Sequence, residues 1–273
     1  MISLKRMLAY TPVVAVMVAL AVACAPAEPP PFDAARAYAD VEKQLEFGPR
    51  VPGTEAHRRC ADWLASELRK NTEEVRRQAF RHIPPAAPGS DVLSSDTLAL
   101  WNIMASFEPR SPNRITICAH WDSRRWADHD PDSSRHNDPV PGANDGASGV
   151  AVCLELARMM GQVPPPFGVD IILFDAEDQG FSEDVSEFII GSQWFVSQAP
   201  NYRPKALILL DMIGDRDLSI PREGYSDTLA PGLTDLVWTT AARLGLSAFV
   251  DTVAGPVRVR VPALVEPSTI EES

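Results

Sequence analysis

Hydrophobic positions along this 273-residue chain change period several times, and each change marks an expected element. Phe32 to Leu45 carries apolar residues at helical spacing, which FGPRVPGT then breaks. Glu55 to Arg69 (EAHRRCADWLASELR) reads as an amphipathic helix with Thr54 placed to cap it. Val75 to Ile83 alternates polar and apolar, as a half-exposed strand does. Thr97 to Phe107 reads as a second strand and Ile115 to His120 as a buried one. A polar loop over 121–141 leads to a helix from Gly149 to Met160. Val169 to Asp175 is a strand, Gly191 to Ser197 begins a helix, and Ala206 to Asp211 is a fourth buried strand. Leu233 to Leu244 is helical, and Ala248 to Val250 a short strand. Strands alternating with helices after residue 110 predict an α/β fold: a doubly wound, mostly parallel sheet with helices on both faces. No repeat or second domain interrupts residues 33–255.

In an open parallel sheet, ligands collect beyond the carboxyl ends of the strands. His120 ends one expected strand, and Asp175, Glu177 and Asp178 crowd the end of another. Asp211 ends a third, and Asp145 sits in the turn GANDGASG just before a helix. An Asp at a helix start is most often only an N-cap, and a lone strand-end His is more often structural than catalytic. Together they form a different pattern, because adjacent carboxylates repel unless a cation or proton relieves them. Asp122, two residues after His120, has the spacing to orient that imidazole through its second nitrogen. Oxygen and imidazole donors without thiolates suit zinc, and a catalytic zinc leaves one position open. Of the neighbours Glu177 and Asp178, one could ligate while the other serves as general base.

Composition narrows the classes. Hydrophobic residues make up 45% of the chain, enough for a full core. Lys5 and Arg6 precede VVAVMVALAVA, a run too short to span a bilayer comfortably and of three-part secretory form. Residues 1–24 are therefore expected to be a signal peptide of lipoprotein type, with Cys24 as the lipidated residue and a Pro-rich tether over 25–32. The mature protein would be exported, either periplasmic or held at a membrane through Cys24. Removing residues 1–23 takes away two basic residues, leaving 23 basic against 37 acidic and a charge of −14 instead of −12. So acidic a chain repels phosphate backbones, which argues against nucleic acid as a partner. Cys60, Cys118 and Cys153 show no CxxC spacing, which excludes a thiolate zinc site; they are expected to be core thiols.

The motifs FGPRVPGTEAH, AHWDS, GANDGASG, LFDAED and LLDMIGDRDLSI together resemble the zinc aminopeptidase and glutaminyl cyclase superfamily. Within it they resemble the bacterial glutaminyl-peptide cyclotransferase-like branch, over about Phe47 to Val250. The resemblance implies a zinc-exopeptidase-like (phosphorylase/hydrolase-like) architecture, zinc as cofactor and peptide or protein N-termini as substrates. It implies Asp145 and Asp178 as zinc ligands and Glu177 as the catalytic acid/base. His120 and Asp211 match positions that hold a second zinc in two-metal aminopeptidases. In the one-zinc cyclases the position of Asp211 instead binds and activates the substrate amine. The insertion QGFSEDVSEFII after Asp178 and the loop HWDSRRWADHDPD favour the cyclase, with Trp121, Trp126 and Trp194 expected to wall a small pocket.

One expected feature is missing. The family places a further metal-binding His near its C-terminus, but the five histidines (His57, His82, His120, His129, His136) all precede residue 137. Residues 256–273 (PVRVRVPALVEPSTIEES) do not resemble the family's ending, and a truncated tail is the expectation. Three activities therefore compete: glutaminyl cyclase, zinc aminopeptidase, and a catalytically dead binding lipoprotein of the same fold.

Overall fold

The computed structural model describes residues 28–84, 97–180 and 187–254. The expected signal, residues 25–27 of the tether, the 256–273 tail and residues 181–186 of the insertion lie outside them. Two helices come first, α1 (Ala34–Glu46) and α2 (Glu55–Arg69). Asp33 caps α1 and Thr54 caps α2, the latter accepting from the His57 backbone N–H at 3.2 Å. Glu55 in the first turn of α2 and Arg69 in its last match the helix dipole.

Strands β1 (Val75–His82), β2 (Leu98–Phe107) and β3 (Arg114–His120) precede α3 (Ala147–Gln162). Then come β4 (Gly168–Phe174), α4 (Ile190–Gln198) and β5 (Ala206–Leu209). The sheet order is β1-β2-β4-β3-β5. β2 pairs antiparallel with both β1 and β4, while β3 pairs parallel with β4 and β5. Four strands therefore share one direction and β2 alone opposes them, so the mostly parallel sheet is borne out. β4 lies between β2 and β3, and all seven of its residues are buried. That position explains why GVDIILF shows almost no polar alternation.

Helices cover both faces. Leu64 and Leu68 of α2 and Val150, Cys153 and Leu154 of α3 pack on Ile103, Ile171 and Leu173. On the other face, Phe195 of α4 packs with Cys118, Ile172 and Phe174. Each such side chain taken from water contributes about 1.5–3 kcal/mol before its entropy cost is counted. The three cysteines are free and buried, as core thiols should be.

At the starting end of the sheet, Asp170 accepts from Arg114, Ser106 and Tyr202. Burial alone would raise the Asp170 carboxyl, but Arg114 and the two hydroxyls outweigh it and hold the group below its usual range. Polar residues in a strand this deeply buried are tolerated because their bonds are satisfied.

The strand expected to be buried over 206–211 is a correction. β5 stops at Leu209, with Leu207 48% and Leu209 55% exposed. It is the edge of the sheet among the described residues, pairing only with β3, so one face stays open. Asp211 therefore sits on a turn beyond the strand, where Met212 takes a left-handed φ of 50°. The chain ends its described part in a smaller unit that the periodicity showed only in part. β6 (Ile220–Arg222) pairs parallel with β7 (Phe249–Val253) across α5 (Gly224–Leu229) and α6 (Pro231–Arg243). Three residues are too few to show a period, which is why β6 escaped the pattern.

Candidate metal centre

The carboxyl ends of β3, β4 and β5 open on the same side of the sheet, and α3 starts there. His120 is the last residue of β3, and its ring is buried. Asp145 precedes Gly146, which occupies the N-cap position of α3 with a φ of 86° and makes no side-chain cap bond. The Asp145 carboxylate is consequently not spent on capping. A Cβ on Gly146 would come within 2.8 Å of the Asp122 carbonyl and 3.1 Å of the His120 ring, so only glycine lets the helix start approach this closely. Asn144 and Ser148 then fasten the turn after β5. Asn144 Oδ1 accepts from the Gly214 N–H at 2.7 Å and Ser148 Oγ from the Ile213 N–H at 3.1 Å.

These turns bring three candidates together. His120 Nε2 lies 2.8 Å from Asp145 Oδ1 and 3.6 Å from Asp211 Oδ1. One donor atom from each of the three falls within 4.8 Å of the others. His120 is 2% exposed, whereas Asp145 and Asp211 are 38% and 40% exposed, so the group opens to solvent on its carboxylate side. Burial by itself would discourage charge on His120. Hydrogen bonds to Asp122, Asp145 and Asp211 outweigh that and raise the imidazole well above its ordinary value.

Asp178 does not join them. Its carboxylate is ion-paired to Arg124, whose Nε and Nη2 also donate to Asp128 at 2.9 Å each. Burial raises Asp178 to about 6, with Arg124 pulling the other way and Asp145 adding repulsion. It thus shares the cleft and the field of the three donors without sharing their point of convergence. Arg124 lies in HWDSRRWADHDPD, where neither spacing nor period assigns it a role. A basic residue in an acidic cleft was the signal available.

Asp122 does more than orient His120. Its contact with His120 Nδ1 is long, at 3.4 Å, while it accepts from the Glu177 N–H at 3.0 Å, the Asp178 N–H at 3.3 Å and Gln179 Nε2 at 2.8 Å. A fully buried carboxylate therefore pins the segment that follows β4. Ahead of that segment, Ala176 takes a left-handed φ of 51°, which turns the chain sharply between Asp175 and Glu177. Burial pushes the Glu177 carboxyl up to about 8; His120 opposes this, and Asp122, Asp178 and Asp211 reinforce it.

The three tryptophans do not wall one pocket, which corrects that expectation. Trp121 is fully buried, stacked on His57 with ring centroids 4.4 Å apart, and donates Nε1–H to the Trp101 carbonyl at 3.2 Å. Successive residues on extended chain point to opposite sides, so a cleft-facing His120 sends Trp121 into the core. Trp194 stacks on Phe80 at 5.6 Å. Trp126 lines open surface beside Pro139 and Arg125. The cavity beside Glu177, about 310 Å³, is lined instead by His120, Phe174, Phe195, Tyr202 and Leu209.

One imidazole nitrogen and two carboxylates converging on a solvent-open point suit a divalent ion of the zinc type, whose bonds to such donors are about 2.0–2.2 Å. The convergence itself is the fit: two carboxylates are drawn to one point on His120, where a cation would relieve their repulsion. Comparison with known proteins agrees. The architecture is that of zinc-dependent exopeptidases and glutaminyl cyclases. It is similar to a crystal structure of a Zn-dependent exopeptidase from Parabacteroides distasonis, with TM-score 0.77 and 40% identity over 84% of this chain and 79% of that one. It is equally similar to Tannerella forsythia glutaminyl cyclase, with TM-score 0.76 and 40% identity over 84% and 78%. By sequence it is 29% identical over 164 residues to aminopeptidase YwaD of Bacillus subtilis, covering 56% of this chain and 31% of that protein. The chain spans about half the length, or less, of the curated relatives it matches first, 53% of one and 30% of the next. Residues 102–257 match the model of peptidase family M28, and the chain belongs to that family. Its cofactor is zinc.

Proposed function

We propose that the protein is a glutaminyl-peptide cyclotransferase, closing the N-terminal glutamine of a peptide into pyroglutamate and releasing ammonia. The observation that carries this reading is the likeness to glutaminyl cyclases of Tannerella, Bacteroides and Porphyromonas, at 39–40% identity over 83–84% of the chain. Likeness to proteins described as aminopeptidases is 38% over 84% of the chain for a leucine aminopeptidase precursor of Bacteroides thetaiotaomicron and 29% over 56% for the Bacillus subtilis protein.

In the reaction the α-amine nitrogen bonds to the γ-carboxamide carbon, and the carbon–nitrogen bond to the departing ammonia breaks. One proton must leave the amine and one must reach the leaving nitrogen. Glu177, its carboxyl moved to about 8, can do both near neutral pH, where proton transfer in either direction costs little. Asp122 holds the Glu177 backbone, so this carboxyl is presented from a fixed position. His120, Asp145 and Asp211 would hold the zinc, which supplies Lewis-acid polarisation of the carboxamide oxygen when bound. Asp211 has a second carboxylate oxygen, which would accept from the substrate amine. Asp178 would add a ligand only after releasing Arg124. The apolar cavity beside Glu177 would take the aliphatic part of the substrate.

A second reading, release of the N-terminal residue by water, uses the same centre. It is supported by the 40% identity to a protein described as an exopeptidase. Incubating the zinc-loaded protein with Gln-β-naphthylamide and Leu-p-nitroanilide separates the two. The expected result is pyroglutamyl product from the first and no nitroaniline from the second. Nitroaniline alone would establish the peptidase, and neither product would leave a binding protein.

A further inference from the structure

The segment FGPRVPGTEAH contributes nothing to the centre directly, yet it buries an arginine beside it. Arg50 is fully buried, and among the described residues its guanidinium bonds only to carbonyl oxygens. Nε donates to the Trp121 carbonyl at 3.0 Å, Nη1 to that of Pro141 at 2.9 Å and Nη2 to that of Gly142 at 2.7 Å. The Arg50 carbonyl accepts from the Ser123 N–H at 3.3 Å. Trp121 follows His120 directly, and Gly142 lies three residues before Asp145. Arg50 therefore joins the two segments that carry the closest donor pair of the centre.

The loop is shaped to receive it. Gly142 has a φ of 68°, and a Cβ there would fall 2.8 Å from Arg50 Nη2 and 2.8 Å from the Ser123 side chain. The Gly142 carbonyl also accepts from the Ala147 N–H, the first residue of α3, so the guanidinium and the helix start share one acceptor. Burying a cation without a direct carboxylate partner is costly. Asp122 and Asp145, acting from a distance, offset part of that cost. For a planar fork, three carbonyls from two chain segments are a geometry that a single ammonium cannot reproduce.

We propose that Arg50 is a positioning residue for the metal centre: its guanidinium sets the spacing between the His120 segment and the Asp145 segment, and so the affinity of the site for zinc. The inference rests on the metal reading above. The test compares zinc affinity by calorimetry, and the visible spectrum of the cobalt-substituted protein, in wild type, Arg50→Lys and Glu155→Gln. Glu155 is a buried carboxylate that pins the chain at Asp33 to α3, so its loss is a structural control.

Arg50→Lys is expected to bind zinc about 10–100-fold more weakly, the range seen when an outer partner of a ligand is lost, and to shift the cobalt band. Glu155→Gln is expected to lose stability while keeping both. Zinc affinity in Arg50→Lys within about threefold of wild type, with an unchanged cobalt spectrum, would overturn the proposal. If Arg50→Lys does not fold, Arg50→Gln carries the test, since it removes the three-pronged fork while leaving the Asp145 loop untouched; the same two outcomes decide. A wild type that takes up no metal would instead sink the metal reading itself.

Discussion

Replacing Glu177 with Gln is expected to lower turnover by roughly 10²–10⁴-fold while leaving zinc content unchanged, the contribution of a general acid/base. Gln has nearly the same shape and keeps the backbone bond to Asp122, but cannot carry a proton between the amine and the departing ammonia. Glu177 stands apart from the trio of donors, whose members reach one another without it. Kinetics on Gln-β-naphthylamide together with metal analysis check this. A Glu177→Gln protein as active as wild type would remove Glu177 from the chemistry, and one stripped of zinc would move it into the ligand set.

The second large effect is expected at Asp145. Asp145→Ala should weaken zinc binding by at least about 10²-fold, beyond what loss of an outer partner costs. It removes a donor and the 2.8 Å partner of His120 Nε2 together. The pH dependence has a defined sign. Hydrogen bonds to Asp122, Asp145 and Asp211 outweigh burial and raise His120 well above its ordinary value in the metal-free protein, so its protonated form persists to higher pH. Zinc must expel that proton, and affinity should climb about tenfold per pH unit until the imidazole is neutral. At a free zinc concentration of about 10³ times the wild-type Kd, wild type should gain about 4 kcal/mol of stability and Asp145→Ala no more than about 1.4 kcal/mol. Thermal unfolding with and without zinc, across a pH series, reads all of this. Equal zinc stabilisation of the two proteins would contradict the assignment of Asp145.

The parts legible from sequence were those with a period or a spacing. Cys60, Leu64 and Leu68 repeat at helical intervals, and they do pack α2 on the sheet. His120 ends β3 as its apolar run implies, and Asp211 lies on the turn just past β5; the carboxyl ends of parallel strands open on one side by geometry alone. Residues whose role depends on long-range bonds could not be read. Nothing local says that Arg124 would occupy Asp178, or that Asp122 would hold the Glu177 segment from 55 positions away. Trp121 departs from expectation because its motif neighbour His120 faces the cleft and the alternation of extended chain turns the indole the other way. The exposure of β5 was hidden for a related reason, since an apolar run does not reveal how many strands will flank it.

The centre itself is tested most directly by crystals soaked in zinc and measured on either side of the zinc absorption edge. The geometry predicts an anomalous peak about 2.0–2.2 Å from His120 Nε2 and from one oxygen each of Asp145 and Asp211. A peak elsewhere, or three empty donors in saturating zinc, would contradict it.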